Sequence, residues 1–457
     1  MAGAVPGFWY NGQVGTMPRE DDTMQLHRWH SYSLRLLLYA ACVATALTLA
    51  GCRGTVDGVG AATPTPDSIG SSTPDTALAT TTPAFPGRQL IIWLTDDLNT
   101  TPDTAAGESF AQAIRQFELS HPNVDIQWQI KPATGQNSLA GFLGSAQQVA
   151  PSIVPDLVLL DSRALWQLSD LGLISPLDDG LLARIGDFYP FALDAVLYNG
   201  VELGVPYIAD VQHLAYAADK VTQPPATWQQ LSEQQVSYLF PVAGQDGIDA
   251  VLLQYVGAGG ELLASGQSSD PKPLQSLFSF LEQARSQEII PTTIQDQASL
   301  EQVWAAFTAG ETVAANVAAS KFRREKESNR LLGYGQTPIQ NDLSAAVART
   351  WALAVTAVDP EQRSLALEFI DHLLSPDLHG NWSQAADRLP TRRPAWEKWS
   401  NRGDYHAFLG RLLEVAVTPP AGAPFADFAR RLRDAQLAVL RGETTAEQAV
   451  LFMGAAP

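Results

Sequence analysis

Apolar positions follow the periods of strands and helices from about residue 88 onward. Residues 89–94 form a short apolar run, and residues 124–130 alternate apolar and polar side chains with the period of a half-buried strand. Between them, apolar residues recur at helical spacing over 109–120. Strand, helix and strand in this order predict a parallel sheet with a right-handed crossover.

The same alternation continues toward the C-terminus. The pattern predicts further strands over 156–160, 213–216 and 350–355. It predicts helices over 139–149, 164–171, 274–286, 300–309, 361–374, 426–441 and 445–452. We therefore predict an α/β fold. About 370 residues follow position 88, more than one hydrophobic core usually organises, so two domains are expected.

An uncharged apolar run of 14 residues, 36–49, precedes this region. It is shorter than the roughly 18 residues of a membrane-spanning helix and follows Arg28 and Arg35, which is typical of a secretory signal. Met24 is the predicted true start, because the acidic residues just upstream do not suit a signal sequence. We expect residues 1–51 to be a signal peptide.

Residues 49–52, LAGC, resemble the lipobox of bacterial lipoproteins, in which the cysteine receives a diacylglycerol. The alternative is an ordinary signal peptide in which Cys52 is incidental. The other cysteine, Cys42, lies in the apolar run, so the mature chain has no second thiol for a disulfide. Residues 52–87, rich in Thr, Pro, Ser and Gly, are expected to be the lipidated cysteine and a flexible tether.

Charge and motif content exclude several function classes. The 457-residue chain has a formal net charge of −19, which argues against nucleic-acid binding. It lacks a Gly-x-Ser-x-Gly elbow, a phosphate-binding loop and a His-Glu-x-x-His motif, and its histidines lack metal-ligand spacing. We expect no enzyme activity, no cofactor and no bound metal.

A series of short motifs then appears in a familiar order. These are FELSHPNV at 117–124, PDLV at 155–158, LGLISPLD at 171–178, GVPY at 204–207, PATWQQL at 225–231, FTAGE at 307–311 and ALEFIDHLLSP at 366–376. In order and spacing, the chain resembles the family 1 extracellular solute-binding proteins of bacterial ABC importers, a branch that includes many sugar receptors.

The resemblance implies a two-lobed periplasmic-binding-protein-like fold of type II. One lobe would comprise 88–203 and 317–358, and the other 204–316 and 359–457. A hinge of two or three crossing strands would join them around a cleft. Such a receptor is a monomer, anchored to the membrane through the lipid on Cys52. It closes on a solute, here a sugar or oligosaccharide, and delivers it to ABC permease subunits outside the cytoplasm.

A second hypothesis is a lipid-anchored scaffold or sensor whose cleft no longer serves transport. Several family positions differ here: YAADK stands at 216–220 where members often carry Tyr-Asn-Lys, and Arg349-Thr350 replaces a glycine pair. A tryptophan common near 318–320 is also missing. These departures keep the second hypothesis open.

Candidate ligand-binding residues lie where strands end, because ligands bind beyond the carboxyl ends of strands in open α/β sheets. Aromatic rings stack on sugar faces, while polar side chains hold hydroxyl groups. The first strand offers Trp93, Asp96 and Asp97, and the third offers Asp161 and Ser162. The alternatives are a core ring for Trp93 and helix caps or turn residues for the others.

Further candidates lie at the expected crossings between the lobes. They are Tyr207, Asp210, Tyr255, Asn316, Arg349, Trp351 and Arg392. Tyr255 precedes a glycine-rich stretch and is a candidate stacking ring. Arg349 could hold an anionic group, although an ion pair with a nearby acid is the simpler reading. Arg392, in a Leu-Pro-x-Arg segment of the family type, could close the cleft or only pack between lobes.

Overall fold

A computed structural model describes residues 87–149, 153–177, 181–268, 270–326, 331–341 and 343–454. The predicted signal peptide, lipidated Cys52 and the tether up to residue 86 lie outside this range. All described residues belong to one compact unit.

Twelve strands and sixteen α-helices are present in the described ranges. The strands are β1 Arg88–Thr95, β2 Val124–Lys131, β3 Leu157–Asp161, β4 Leu197–Tyr198, β5 Val201–Glu202, β6 Val205–Ala217, β7 Tyr238–Leu239, β8 Ala314–Ala318, β9 Leu332–Gly335, β10 Ala346–Val355, β11 Leu389–Pro390 and β12 Ala416–Val417. The helices are α1 Ala105–Ser120, α2 Leu139–Val149, α3 Leu165–Asp170, α4 Leu181–Ile185, α5 Pro190–Asp194, α6 Trp228–Gln234, α7 Gly244–Gly257, α8 Lys272–Ser286, α9 Leu300–Thr308, α10 Ala319–Lys326, α11 Pro360–Leu373, α12 Pro376–Ala385, α13 Arg393–Trp396, α14 Asp404–Val415, α15 Ala423–Arg441 and α16 Ala446–Gly454.

Local sequence signals explain where many helices begin. The hydroxyl of Thr104 accepts a hydrogen bond from the Gly107 backbone N–H at 3.0 Å and caps α1. Thr227 and Ser299 cap α6 and α9 in the same way. Asp359 caps α11, whose first residue is a proline that has no N–H to satisfy. For α9 and α11 the observed first residue is within one position of the predicted one, whereas α1 begins four residues earlier than predicted.

One continuous sheet runs through the molecule in the order β2-β1-β3-β10-β6-β8-β7. β1 pairs in parallel with both β2 and β3, as the strand-helix-strand pattern predicts. β10 is antiparallel to β3 and to β6, and β6 is antiparallel to β8. The antiparallel strands in the middle therefore connect two halves of the sheet.

Two large hydrophobic cores cover the two halves. The first core draws on residues 90–208 and 351–386, and the second on 214–347 and 425–453. β6 begins in the first core and ends in the second, while β10 runs the opposite way. A third, smaller core packs Trp396 and Phe408 against the middle of these two strands. β6 and β10 are thus the crossing strands of a two-lobed α/β fold.

The cores divide the chain differently from the boundaries expected at 316/317 and 358/359. β8 lies inside the second core, and the chain returns to the first core along β10 instead of directly after residue 316. Helices α11 and α12 pack in the first core, whereas the family resemblance implies the other lobe for residues 359–457. The periodic spacing of apolar residues shows that a segment is buried, but it does not show in which core the segment lies.

Candidate functional site

A cavity of about 280 Å³ lies between the two large cores, beside the crossing strands. The loop after β1 contributes Asp97, and β10 contributes Arg349 and Trp351. The second core contributes the first turns of α7, α9 and α10, including Asp249 and Ser320. Both halves of the fold therefore line one cavity, which we call the inner cavity.

Strand pairing brings the acidic strand ends together. β1 and β3 are parallel neighbours, so Asp97 and Asp161 follow or end adjacent strands at the same edge. Trp351 of antiparallel β10 lies opposite Asp161. Arg349 is two residues away on β10 and therefore points to the same face as Trp351.

Arg349 links the two carboxylates. Its Nε donates to Asp161 Oδ2 at 2.8 Å, and its Nη2 donates to Asp97 Oδ2 at 3.2 Å. The indole Nε1 of Trp351 donates to the same Asp97 oxygen at 3.2 Å. The ion-pair reading of Arg349 therefore holds in this structure, and the pair is part of the cavity wall.

The indole ring of Trp351 lies between two cations. The guanidinium carbons of Arg349 and Arg388 are each 4.6 Å from its ring centroid. Trp351 is only 1% exposed, and both guanidinium groups lie within cation–π distance of its ring. This ring orients the two arginines toward the cavity and offers little free face for stacking.

Arg388 joins three segments around the inner cavity. It forms a buried ion pair with Asp210 of β6, and its Nη2 donates to the backbone carbonyl of Asp97 at 2.8 Å. Its Nη1 donates to Ser320 Oγ at 3.1 Å. The backbone N–H of Ser320 in turn donates to Asp210 Oδ1 at 3.2 Å. Arg388 thus holds the β1 loop, a crossing strand and the start of α10 together.

A second arginine, Arg163, connects the two cores across the cleft. Its Nε donates to Asp161 Oδ1 at 3.0 Å, while its Nη1 donates to both carboxylate oxygens of Asp249, at 2.9 and 3.0 Å. Asp161 ends β3 in the first core, and Asp249 lies on α7 in the second. Gln245 of α7 adds a hydrogen bond to Asp249 at 3.1 Å.

The electrostatics of this cluster shift the pKa values of its two carboxylates in opposite directions. Burial alone would raise the pKa of Asp161, but the guanidinium groups of Arg163 and Arg349 outweigh it and hold the pKa well below its usual range. Burial raises the pKa of Asp249, and Arg163 offsets only part of that effect. Asp161 is therefore the anchored carboxylate, and Asp249 is the one that accepts a proton more readily.

A second cavity of about 200 Å³ lies on the other side of Arg163. It is lined by Trp166 of α3, by Ile248 and Leu252 of α7, and by Phe425 of α15. Pro419 and Pro420 complete an apolar wall. We call it the outer cavity.

Six of the sequence-predicted residues meet at this cleft. They are Asp97, Asp161, Ser162, Asp210, Arg349 and Trp351. Ser162 lines the outer cavity, and Asp161 pairs with Arg163 and Arg349. The other four residues line the inner cavity. Asp161 also accepts a hydrogen bond from the Arg163 backbone N–H at 3.0 Å, so it is a helix cap as well as a member of the site.

Two residues of the first strand region lie elsewhere. Trp93 is buried within β1 in the first core, with the ammonium of Lys131 4.6 Å from its ring centroid. Asp96 is exposed and accepts a hydrogen bond from the Ala133 backbone N–H at 2.9 Å. Their roles here are those of a core ring and a turn residue.

Tyr207 and Arg392 support the first core and its edge. The ring of Tyr207 is buried and stacks on His379 and Trp382, with centroids 4.7 and 5.0 Å away. Arg392 forms a two-point ion pair with Asp187 and bonds to the Leu374 carbonyl. Neither residue lines the inner or the outer cavity.

Asn316 lies one layer behind the inner cavity. It is buried inside β8. Its side chain accepts a hydrogen bond from the Tyr238 hydroxyl and donates to Gln212 Oε1 at 3.2 Å. Gln212 lines the inner cavity, so Asn316 orients a lining residue.

Tyr255 is inside helix α7 and not at the start of a loop. Its ring is buried in the second core, against Phe428 at a centroid distance of 5.6 Å. The glycine-rich stretch at 257–260 predicts a loop there, but α7 continues through Gly257. Its hydroxyl donates to Ser268 Oγ at 3.1 Å.

We expect Tyr255→Phe to lower the free energy of unfolding by about 0.5–1.5 kcal/mol, because only the hydrogen bond to Ser268 is lost. Urea unfolding measures this change. Ligand affinity should stay within twofold of wild type, as measured by calorimetric titration. An affinity loss of tenfold or more would place Tyr255 in the binding site.

Sequence reasoning missed three residues that organise the site: Arg163, Asp249 and Arg388. Arg163 directly follows two predicted site residues, Asp161 and Ser162, and this adjacency could have marked it as a candidate. Asp249 is an acid in an otherwise apolar stretch of α7. Arg388 carries no local signal, since its partner Asp210 is 178 residues away.

The described ranges lack two further features. No helix there is long and apolar enough to cross a membrane. No group of three or more His, Cys, Asp or Glu side chains in these ranges has an arrangement suited to a metal ion.

Comparison with known proteins gives a consistent result. Residues 112–400 match the family model described as bacterial extracellular solute-binding protein. The maltotriose-binding protein of Pyrococcus abyssi is 27% identical over 143 residues, which is 30% of this chain and 29% of that protein. The chain therefore matches less than a third of that relative's length.

Solved structures match over a greater length. The GacH receptor of Streptomyces glaucescens, solved unliganded and with acarbose, is 18% identical with a TM-score of 0.64, over 80% of this chain and 97% of that chain. The sugar-binding protein MalE of Xanthomonas citri is 20% identical with a TM-score of 0.65, over 80% and 95%. These likenesses confirm the predicted two-lobed, type II binding-protein fold. With the family match over more than half of its length, this chain belongs to the bacterial extracellular solute-binding proteins and acts outside the cytoplasm.

Proposed function

We propose that this protein is the carbohydrate receptor of an ABC importer and that it captures its solute in the cleft between the two cores. The observation that carries this proposal is the inner cavity, where carboxylates and guanidinium groups alternate. Two buried polar atoms of its lining residues, Asp97 Oδ1 and Arg388 Nε, have no hydrogen-bond partner among the residues that the structure describes.

Sugar hydroxyl groups match such a wall because each can donate and accept a hydrogen bond. One hydroxyl can donate to the Asp97 carboxylate, and another can accept from the Arg388 guanidinium, since both residues line the cavity. Both groups are preoriented, since Arg349 and Trp351 hold the Asp97 carboxylate and Asp210 holds Arg388. A preoriented site loses less side-chain entropy on binding. A scaffold without a solute would have no need for this arrangement.

The relatives support the same ligand class. One is named for maltotriose binding, and another was solved with acarbose. The ligands in these two names differ from each other, so the shared feature is the carbohydrate class and not one particular sugar.

Delivery to a permease would follow from closure of the two lobes. A solute that contacts Asp97 on the first core and the turns of α7 or α10 on the second stabilises the closed arrangement. β6 and β10 would serve as the hinge. The lipid on Cys52 and the tether to residue 87 would keep a monomeric receptor close to permease subunits in the same membrane.

A thermal-shift screen tests the proposed ligand class. The chain from residue 53 onward, lacking the leader, is heated with mono-, di- and oligosaccharides, polyols and amino acids. A carbohydrate at 100 times its Kd should add about 2.7 kcal/mol of stability and raise the Tm. A Tm increase with amino acids only, or with none of these solutes, would contradict the proposal.

We expect Asp97→Asn to weaken carbohydrate binding by about 10- to 100-fold, because a hydrogen bond to a charged acceptor contributes about 1.5–3 kcal/mol. Calorimetric titration measures the affinity. Asp96→Asn is the matched control, since the neighbouring carboxylate is exposed and serves the Ala133 N–H instead. Equal affinities for the two variants would remove Asp97 from the site.

The anchor is tested separately. Cells that express the full chain should incorporate labelled palmitate into this protein, and Cys52→Ser should abolish the label. Labelling that persists in Cys52→Ser would rule out this anchor while leaving the carbohydrate site untouched.

A further inference from the structure

The ion pair between Arg163 and Asp249 stands between the two cavities of the cleft. Asp249 lines the inner cavity, and Arg163 lines the outer one. We propose that this ion pair is a partition that selects the ligand by length, so that the receptor prefers a carbohydrate of one or two rings. This inference rests on the proposed carbohydrate-binding function and specifies its substrate class.

The partition is firmly held. Arg163 Nη1 contacts both oxygens of Asp249, while Nε and Nη2 contact Asp161, the latter at 2.6 Å. The side chains of Arg163 and Asp249 are 24% and 9% exposed. Asp161 is held in addition by Arg349, and Asp249 by Gln245. A guanidinium with carboxylates on two sides has little freedom to move aside.

The two cavities differ in size and chemistry. At about 280 Å³, the inner cavity is just below the range of roughly 300–1,000 Å³ that is typical of small-molecule sites. Its polar walls suit the hydroxyl groups of a short sugar. The outer cavity, at about 200 Å³, has walls of Trp166, Phe425 and proline. It suits the apolar face of a further ring.

A longer chain of sugar rings that extends from the inner cavity into the outer one has to pass through the partition. Passage would separate Arg163 from Asp249, and the ligand would have to supply new partners for both groups in a largely buried site. A ligand confined to the inner cavity leaves the ion pair intact. The partition therefore penalises length without weakening the binding of short ligands.

The same ion pair also joins the two cores, so its loss could change the balance between open and closed lobes. Such a change alters the apparent affinity for every ligand by one common factor. The ratio of affinities for a long and a short ligand cancels that factor. This ratio therefore reports the partition alone.

The test measures Kd for maltose and maltotetraose by calorimetric titration of the full-length protein in detergent. Wild type should bind maltose at least tenfold more tightly than maltotetraose. Asp249→Ala should lower the ratio of the two Kd values, maltotetraose to maltose, by at least tenfold. Arg163→Ala removes the partition from the other side, leaves Asp161 paired with Arg349, and should shift the ratio in the same direction.

Glu414→Ala is the matched control, because it removes an exposed ion pair with Arg393 outside both cavities. Its Kd ratio should equal that of wild type. Carbohydrate binding with a ratio unchanged in both Asp249→Ala and Arg163→Ala would overturn the partition but leave the proposed function standing. No binding of either sugar by any variant, together with no Tm increase in the carbohydrate screen, would overturn both.

Discussion

Replacement of Arg388 by methionine is expected to lower the free energy of unfolding by about 3–5 kcal/mol, because it leaves a buried charge without its partner. The side chains of Arg388 and Asp210 are only 13% and 7% exposed. The variant also removes the donor to the Asp97 carbonyl and one of the two cations on the Trp351 ring. Urea unfolding followed by circular dichroism measures the loss.

Two control variants separate the buried charge from other effects of this substitution. Arg393→Met breaks an exposed ion pair with Glu414 and should change stability by no more than about 1 kcal/mol. Arg388→Met/Asp210→Leu removes both buried charges and should recover part of the loss. If the single and double variants are equally unstable, packing rather than the unpaired Asp210 explains the effect.

Mild acid should destabilise the protein through two buried histidines. Burial lowers the pKa of His213 to about 4 and that of His379 to about 3, although each ring has a hydrogen bond to a backbone carbonyl. The unfolded chain takes up protons near the ordinary pKa of 6.5, whereas the folded chain does so only at lower pH. The stability that the two neutral histidines contribute is therefore fully present above pH 6.5 and is lost as the pH falls toward 4 or 3.

Each histidine is expected to remove about 1.4 kcal/mol per pH unit within this window. His213→Gln should reduce the slope of unfolding free energy against pH by that amount between pH 6 and 4.5. Urea unfolding at several pH values measures the slope. The comparison with wild type cancels the carboxylates that titrate in the same range. An unchanged slope in His213→Gln would show that this ring is not the group responsible.

Both histidines support the crossing strand β6. His213 lies on it, among the rings of Phe322, Tyr405 and Phe408, and its Nε2 accepts a hydrogen bond from the Tyr405 hydroxyl at 2.7 Å. His379 stacks on Tyr207 of the same strand and donates to its carbonyl. Protonation would place charge against the strand that joins the two cores, so acid should loosen the hinge before it unfolds the lobes.

The sequence alone predicted many of the strands and helices, the parallel pairing around β1 and the binding-protein fold, but not helices α7, α12 and α14. The strand predicted at β6 is too short. The sequence pattern predicts a strand over 213–216, whereas the structure has one strand of 13 residues, 205–217. It is covered by different cores along its length. Near-continuous burial removes the alternation by which a strand is recognised.

The rule that ligands bind beyond the carboxyl ends of strands also predicted part of the candidate site. Asp97, Asp161, Arg349 and Trp351 meet because parallel neighbours end at one edge and an antiparallel strand returns beside them. The aromatic candidates Trp93, Tyr207 and Tyr255 are all buried in the two large cores. A residue's type shows that it can stack on a sugar but does not show which face of its element points to the cleft.

What the sequence by itself determined is therefore the fold and the acidic strand ends, because local periodicity and neighbouring motifs encode them. What only the tertiary structure decided is which charges meet: Arg163 with Asp249, 86 positions apart, and Arg388 with Asp210, 178 apart. Ion pairing depends on the distance between side chains in the folded chain. That distance is set by the packing of two cores around the crossing strands, and no local pattern in the sequence records it.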